Sequence, residues 1–207
     1  MKGRWLWVVA LGLMFPALAF AAAGKGSGIV KGSITVGGRP SGDAVVSVEG
    51  LPQEKLKTQN SKLKTAKALI DQRELRFTPR VLAVLAGTTV EFPNNDKTFH
   101  NVFSTSEAKK FDLGLYAPGK SRSVVFDKPG VVRILCNVHP SMEAYVVVKS
   151  HPYYASTDAR GNYRLNAIPL GKYRLEVWHP ELGVRVVPFE LVRDGEVLGL
   201  DVELKAK

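Results

Sequence analysis

The chain has 207 residues, of which 45% are hydrophobic, 23% charged and 9% aromatic, with 19 glycines, 12 prolines and a formal net charge of +10. That composition excludes a polar disordered tail, a collagen-like repeat and a polytopic membrane protein. The length allows one large or two small globular units, each with a modest core.

Lys2 and Arg4 precede an uncharged apolar stretch from Trp5 to Ala23 that ends in small residues, which is the pattern of a secretory signal. Cleavage is expected after Ala21 or Ala23, where small residues flank a single position. An uncleaved anchor is the alternative, since the stretch approaches the roughly 20 residues that span a bilayer. Pro16 and the alanines favour cleavage. Residues 1–23 are therefore expected to be a signal peptide, leaving an exported, periplasmic chain with no stable membrane insertion. Cys136 is the only cysteine, so no intramolecular disulfide can form even where the compartment would permit one. A buried, inert thiol is the plain reading of such a residue.

After the signal, apolar residues alternate with the period of a strand rather than a helix. Ile29–Val36 and Ala44–Val48 read as two strands joined by the turn Gly37-Gly38-Arg39-Pro40. Residues 52–69 break the pattern with Lys55, Lys57, Lys62, Lys64 and Lys67 against Glu54. A Lys-rich solvated linker is expected there in preference to a basic docking patch for an acidic partner. Leu63, Ala66 and Ile70 have helical spacing, but no cap or sustained apolar face supports a helix.

Between 70 and 149 strands are expected at Leu75–Phe77, Val81–Leu85, Thr88–Phe92, His100–Ser104, Arg122–Phe126, Val131–Cys136 and Tyr145–Lys149, separated by turns rich in Gly, Pro and Asn. This block reads as an antiparallel sandwich. From Pro152 to Leu204 the strand style returns, with Asp158-Ala159-Arg160-Gly161 and Ile168-Pro169-Leu170-Gly171 as turns. Arg193-Asp194-Gly195 is read as a hairpin between Val184–Leu191 and the run Leu198, Leu200, Val202, Leu204. The fold class is all-β, with two small units.

The informative stretch is Cys136-Asn137-Val138-His139-Pro140-Ser141-Met142, with His100 upstream. A thiolate, two imidazoles and a thioether form the ligand set of a type 1 (blue) copper centre. Val132, Ile134 and Cys136 share parity, so the sulfur points into the sandwich with the apolar face, and the following loop can bring His139 and Met142 back to the same ion. His100 has the parity of Val102 and can point inward from a neighbouring strand. Four protein ligands leave no open position for substrate, which argues against an enzyme using metal-bound water. Zinc is the alternative metal, although structural zinc seldom uses Met. A Cys-His nucleophile pair is the alternative chemistry, although no orienting third group is evident. His151 and His179 have no ligand-type neighbours in sequence and are expected to have surface or capping roles.

Residues 70–149 resemble a cupredoxin of the plastocyanin and amicyanin type, sharing amicyanin's Cys-x-x-His-x-x-Met loop length. The strings Phe92-Pro93-Asn94-Asn95-Asp96 and His100-Asn101-Val102-Phe103-Ser104 resemble exported proteins often labelled methylamine utilization proteins. The resemblance implies a Greek-key sandwich and one type 1 copper held by His100, Cys136, His139 and Met142. It also implies that Asn101 and Asn137 support the ligand loops, with Asn101 tying them together by hydrogen bonds. His139 would be a solvent-facing electron port amid apolar surface, for which Asn137, Pro140, Leu113 and Tyr116 are candidates.

Thr157-Asp158-x-x-Gly161-x-Tyr163-x-Leu165-x-x-Ile168-Pro169-x-Gly171-x-Tyr173-x-Leu175 resembles the carboxypeptidase regulatory-like, transthyretin-like sandwich. In that family two strands precede this motif, so the cupredoxin is expected to be inserted into a sandwich made of residues 28–50 and 151–205. A hairpin followed by two domains in series is the alternative.

The function implied is an exported carrier of single electrons between redox proteins, such as a c-type cytochrome or an amine dehydrogenase, without nucleic acid as a partner. Two alternatives share the residues: a periplasmic copper-binding or storage module without a redox partner, and a ligand-binding sandwich with an accessory copper site.

Overall fold

The structure is a computed structural model that describes residues 26–52 and 67–205. The expected signal peptide, and all of the expected linker except Pro52 at its start and 67–69 at its end, lie outside the described residues, as do Leu63 and Ala66 with their helical spacing.

Before the ligand-bearing block come β1 (Ser27–Val36), β2 (Arg39–Pro40) and β3 (Val45–Glu49). The block itself holds β4 (Lys67–Leu69), β5 (Asp71–Arg73), β6 (Arg76–Thr78), β7 (Val81–Leu85), β8 (Thr88–Pro93), β9 (His100–Ser104), β10 (Phe111–Tyr116), β11 (Ser121–Phe126), β12 (Gly130–Leu135) and β13 (Glu143–Lys149). After it come β14 (Tyr154–Ser156), β15 (Asn162–Pro169), β16 (Gly171–His179), β17 (Gly183–Leu191), β18 (Val197–Gly199) and β19 (Val202–Leu204).

In the inner block a five-stranded sheet in the order β10-β9-β12-β13-β7 faces the three-stranded sheet β11-β8-β4, with β5 and β6 as a separate hairpin. Alternation drives this packing. Val132, Ile134 and Val146 turn wholly inward and meet Phe92 and Phe126 from the facing sheet. The outer strands pair across the gap in sequence: β1 lies against β15, and β3 lies between β14 and β16. Their core holds Val30, Ile34, Val46, Leu165, Leu175 and Leu191.

The structure departs from the sequence reading at several places, each with a physical reason. Lys67–Leu69, expected as the end of a linker, is a strand parallel to β8, and it leads into the fully buried Ile70. Leu75 does not open a strand but sits 44% exposed in the β5–β6 turn, where Glu74 and Leu75 both have positive φ. Phe111–Tyr116 is an additional strand whose alternation is broken by a register shift between Asp112 and Leu115 and by Gly114 at φ 65°. The inner block is not wholly antiparallel, because β13 with β7 and β4 with β8 run parallel.

Arg193-Asp194-Gly195 does not close a hairpin. β18 and β19 cross to the other sheet and run parallel to β1, and the turn is fixed there because the Ser27 N–H donates to Asp194 Oδ1 at 2.9 Å while the Gly195 N–H donates to the Ser27 carbonyl at 2.8 Å. The two outer histidines are not on the surface. His151 and His179 are buried, and each Nδ1 accepts a backbone N–H two residues on, from Tyr153 and Glu181 respectively, at 3.3 Å in both cases.

Between β18 and β19 the chain passes directly over Gly32, where a Cβ would lie 2.1 Å from the Leu200 carbonyl oxygen. The Tyr163 hydroxyl donates to that oxygen at 2.6 Å. Gly32→Ala should therefore cost about 1–3 kcal/mol by overpacking, measured by denaturant unfolding.

Burial holds the His151 pKa below its ordinary value near 6.5. The unfolded chain thus binds this proton more readily than the folded one, so the associated stability is complete above about pH 6.5 and is lost as pH falls below it. Thermal unfolding across that range should show a shallower acid decline in His151→Gln than in the parent.

Candidate metal centre

Cys136 follows the last residue of β12, and Met142 precedes the first residue of β13. These strands are antiparallel neighbours with Leu135 opposite Glu143, so the loop between them is a closed connection whose ends are pinned by the ladder. Within it the Met142 N–H donates to the His139 carbonyl at 2.9 Å. β9 meets β12 where Phe103 pairs with Leu135, which brings His100, at the start of β9, to the loop.

The donor atoms of His100, Cys136 and His139 all lie within 4.8 Å of one another. His100 Nδ1 stands 3.1 Å from His139 Nδ1, and Cys136 Sγ stands 4.0 Å from His139 Nδ1. Bonds of about 2.0 Å to nitrogen and 2.3 Å to sulfur in a trigonal plane would separate the two nitrogens by about 3.5 Å and nitrogen from sulfur by about 3.7 Å. These two distances are within a few tenths of an ångström of that arrangement. His100 is fully buried, Cys136 and Met142 nearly so, and His139 only partly.

Proton placement also fits a cation. His100 Nε2 lies 3.0 Å from Asp96 Oδ2, and an N–H donated there leaves Nδ1 as a bare lone pair aimed at the other donors. The Asp96 carboxylate is itself held ionised, its pKa pushed down to about 2, first by the Leu75 N–H and further by the Lys97 N–H and His100. The donor set of thiol and imidazoles, with the buried Met142 at the end of the same loop, is soft and suits copper.

Asp96 enters the sequence reading only within a turn and within the string Phe92–Asp96 that carries the resemblance, with no role of its own. Its neighbour Asn94 is fully buried and organises that turn by donating from Nδ2 to the Thr98 and Tyr116 carbonyls at 2.9 and 3.2 Å. A buried Asn followed by an Asp four residues before a ligand-type His is the available signal.

Asn101 is 1% exposed; its Nδ2 donates to Asp112 Oδ1 at 2.6 Å, and its Oδ1 receives the Asn137 N–H in a long, weak contact of 3.5 Å. Asn137 thus takes part through its backbone, while its side chain is exposed. Tyr116 is not part of the surface around His139. It is 4% exposed, its hydroxyl donates to the Phe92 carbonyl at 2.8 Å, and burial pushes its pKa up to about 12. Leu113 packs half-buried against the inner core. The exposed apolar residues here are Phe99 beside His100, Val138 beside His139, and Leu115 opposite Asn101.

Residues 64–149 match the family model described as copper binding proteins, plastocyanin/azurin family, so this stretch is a cupredoxin domain and the centre is a copper site. The match begins before the expected boundary at 70 and takes in β4. No curated protein matches the chain.

Among solved structures, the chain is similar to a purple cupredoxin from Nitrosopumilus maritimus, at 26% identity and TM-score 0.37 over 40% of this chain and 99% of that one. It is similar to a copper-containing nitrite reductase from Thermus scotoductus at 26% identity and TM-score 0.39, over 42% of this chain and 23% of that one. It is also similar to a reduced amicyanin variant, at 19% identity and TM-score 0.39 over 50% of this chain and 98% of that one.

Removing the carboxylate that orients His100 should weaken copper binding. Asp96→Ala is expected to lower affinity by about 10–100-fold, read by competition with a chromophoric chelator.

Proposed function

We propose that this protein, through its cupredoxin domain, carries single electrons between exported redox proteins, using one copper ion held by His100, Cys136, His139 and Met142. The observation that carries this reading is the convergence of two imidazole nitrogens and one thiol sulfur within 4.8 Å, beside a methionine that is 1% exposed. Bound copper supplies one-electron chemistry by cycling between two oxidation states.

The residues of the chain do the rest. Burial of His100, Cys136 and Met142 keeps water from the donors, the closed β12–β13 loop holds the spacing of Cys136, His139 and Met142 whatever the charge of the ion, and the β9–β12 contact holds His100 against them. Asp96 keeps the His100 proton on Nε2. His139 is the partly exposed donor and so provides the shortest route to a partner. Phe99, Leu115 and Val138 are apolar and exposed near these elements, which favours a partner that docks by excluding water. A c-type cytochrome or an amine dehydrogenase would fit that description. With four donors from the protein, we read the centre as a carrier rather than an enzyme.

We further assign the strands of 28–50 and 151–205 to one transthyretin-like sandwich around the copper domain, a division supported by the pairing of β1 with β15 and of β3 with β14 and β16. The opening residues support export and a periplasmic location.

Cu(II) added to the metal-free protein should produce an intense visible charge-transfer band, which Cys136→Ser should abolish. A colourless parent, or colour that persists in Cys136→Ser, would defeat the proposal. Stopped-flow oxidation of the reduced protein by a c-type cytochrome should be faster than the same reaction of Val138→Asp.

A further inference from the structure

Arg80 lies in the β6–β7 connection of the inner block, yet its side chain reaches out of it. Nη1 donates to Asp43 Oδ2 at 2.7 Å, and Nη2 donates to Glu181 Oε1. Asp43 precedes β3 and Glu181 follows β16, so both carboxylates sit in loops that flank outer strands. The same Nη2 is 3.9 Å from Glu143 Oε2. Glu143 is the first residue of β13 and the immediate neighbour of Met142. The link also runs through the backbone, because the Tyr145 N–H donates to the Arg80 carbonyl at 2.8 Å.

The surroundings make this a stiff connection. Val81 and Val147 of the inner block pack with Val45 of β3, and the Tyr145 ring packs tilted against Trp178 of β16 with centroids 5.4 Å apart. Ser141 and Glu143 of the ligand loop share a cleft of 530 Å³ with Asp43 and Arg80. A planar guanidinium bonded at two nitrogens has little freedom to follow a third carboxylate, so its position is set by the outer pair.

We infer that the outer sandwich positions the methionine end of the copper loop, with Asp43 and Glu181 fixing Arg80 and Arg80 in turn fixing Glu143 next to Met142. Asp43, Arg80 and Glu181 are positioning residues that touch no metal. The inference rests on the reading of Met142 as a copper ligand. A thioether would be the weakest of the donors to copper held here, so a displacement at Glu143 would register at Met142 first. The consequence is that the outer strands act on the electronic character of the centre and not only on solubility or anchoring.

The test uses the full chain with the double substitution Asp43→Asn and Glu181→Gln, two surface changes that conserve shape. In the copper-loaded protein the ratio of the two visible charge-transfer bands should shift and the reduction potential should rise. In the metal-free protein the Met142 amide hydrogen should exchange several-fold faster than in the parent, while the amides of β12 exchange at the parent's rate. Band ratio, potential and exchange equal to the parent's, in a variant with unchanged circular dichroism, would overturn the inference. So would a shift produced by Arg133→Gln but not by the double variant, because Arg133 Nε also donates to Glu143 from within the inner block. A colourless parent would defeat the electron-carrier reading, and the metal-free exchange measurement would still decide the coupling.

Discussion

The ligand cluster depends on one short contact between strands. β9 and β12 are joined where Leu135 pairs with Phe103, and beyond that point the two chains separate into the loops that carry His100 and Cys136. Without this pairing the histidine would belong to one sheet edge and the cysteine to another. With it, Asn101 and Asn137 face each other and the imidazole meets the sulfur. The rest of the five-stranded sheet serves to keep the contact in register, because a slip of one residue would turn Cys136 outward and bring a polar neighbour into the core.

The inner block is also braced from outside. Lys149, near the end of β13, is paired with Glu176 at 2.9 Å and Glu49 at 3.4 Å, both on outer strands. Arg80 is paired with Asp43 and Glu181 near the start of β13. The strand that begins beside Met142 is therefore held by outer carboxylates directly at Lys149 and, at its start, through Arg80, whose carbonyl accepts the Tyr145 N–H, with Val45, Val81 and Val147 filling the space between. Individual exposed ion pairs contribute little, but here they flank an apolar contact and fix its register. That arrangement sets orientation more than it adds stability.

Much of this was legible in the sequence because period-two alternation is a local property. Val132, Ile134 and Cys136 announced their common face, and His100–Ser104 and Val81–Leu85 are strands at the residues expected. The cluster of His100, Cys136 and His139 could be anticipated from residue type and spacing. The errors lie where local pattern and tertiary placement diverge. β10 was hidden by its bulge at Gly114, and β4 by its shortness beside a run of lysines. The Asp194-Gly195 turn carried a hairpin signal, but the strands after it found a better partner in β1 through the Ser27 contacts. Tyr116 reads as a surface aromatic until its hydroxyl is seen bonded within the core. The partners of Arg80 are 37 and 101 residues away, and no pattern along the chain can foretell such a junction.

Asp96 and Arg80 show two ways in which a fold can steady a centre it does not itself contact. Asp96 acts through a single proton, holding His100 Nε2 so that Nδ1 can face only inward. Arg80 acts through a lever, since its grip on the outer carboxylates bears on the residue after Met142. The first device is complete within the cupredoxin domain, whereas the second requires strands from both before and after it in the chain. A carrier that must keep one geometry in two charge states gains from both. Electron transfer slows when ligands move, and a centre tied at His100 by a carboxylate and at the Met142 end of its loop by the outer strands has few directions left in which to move.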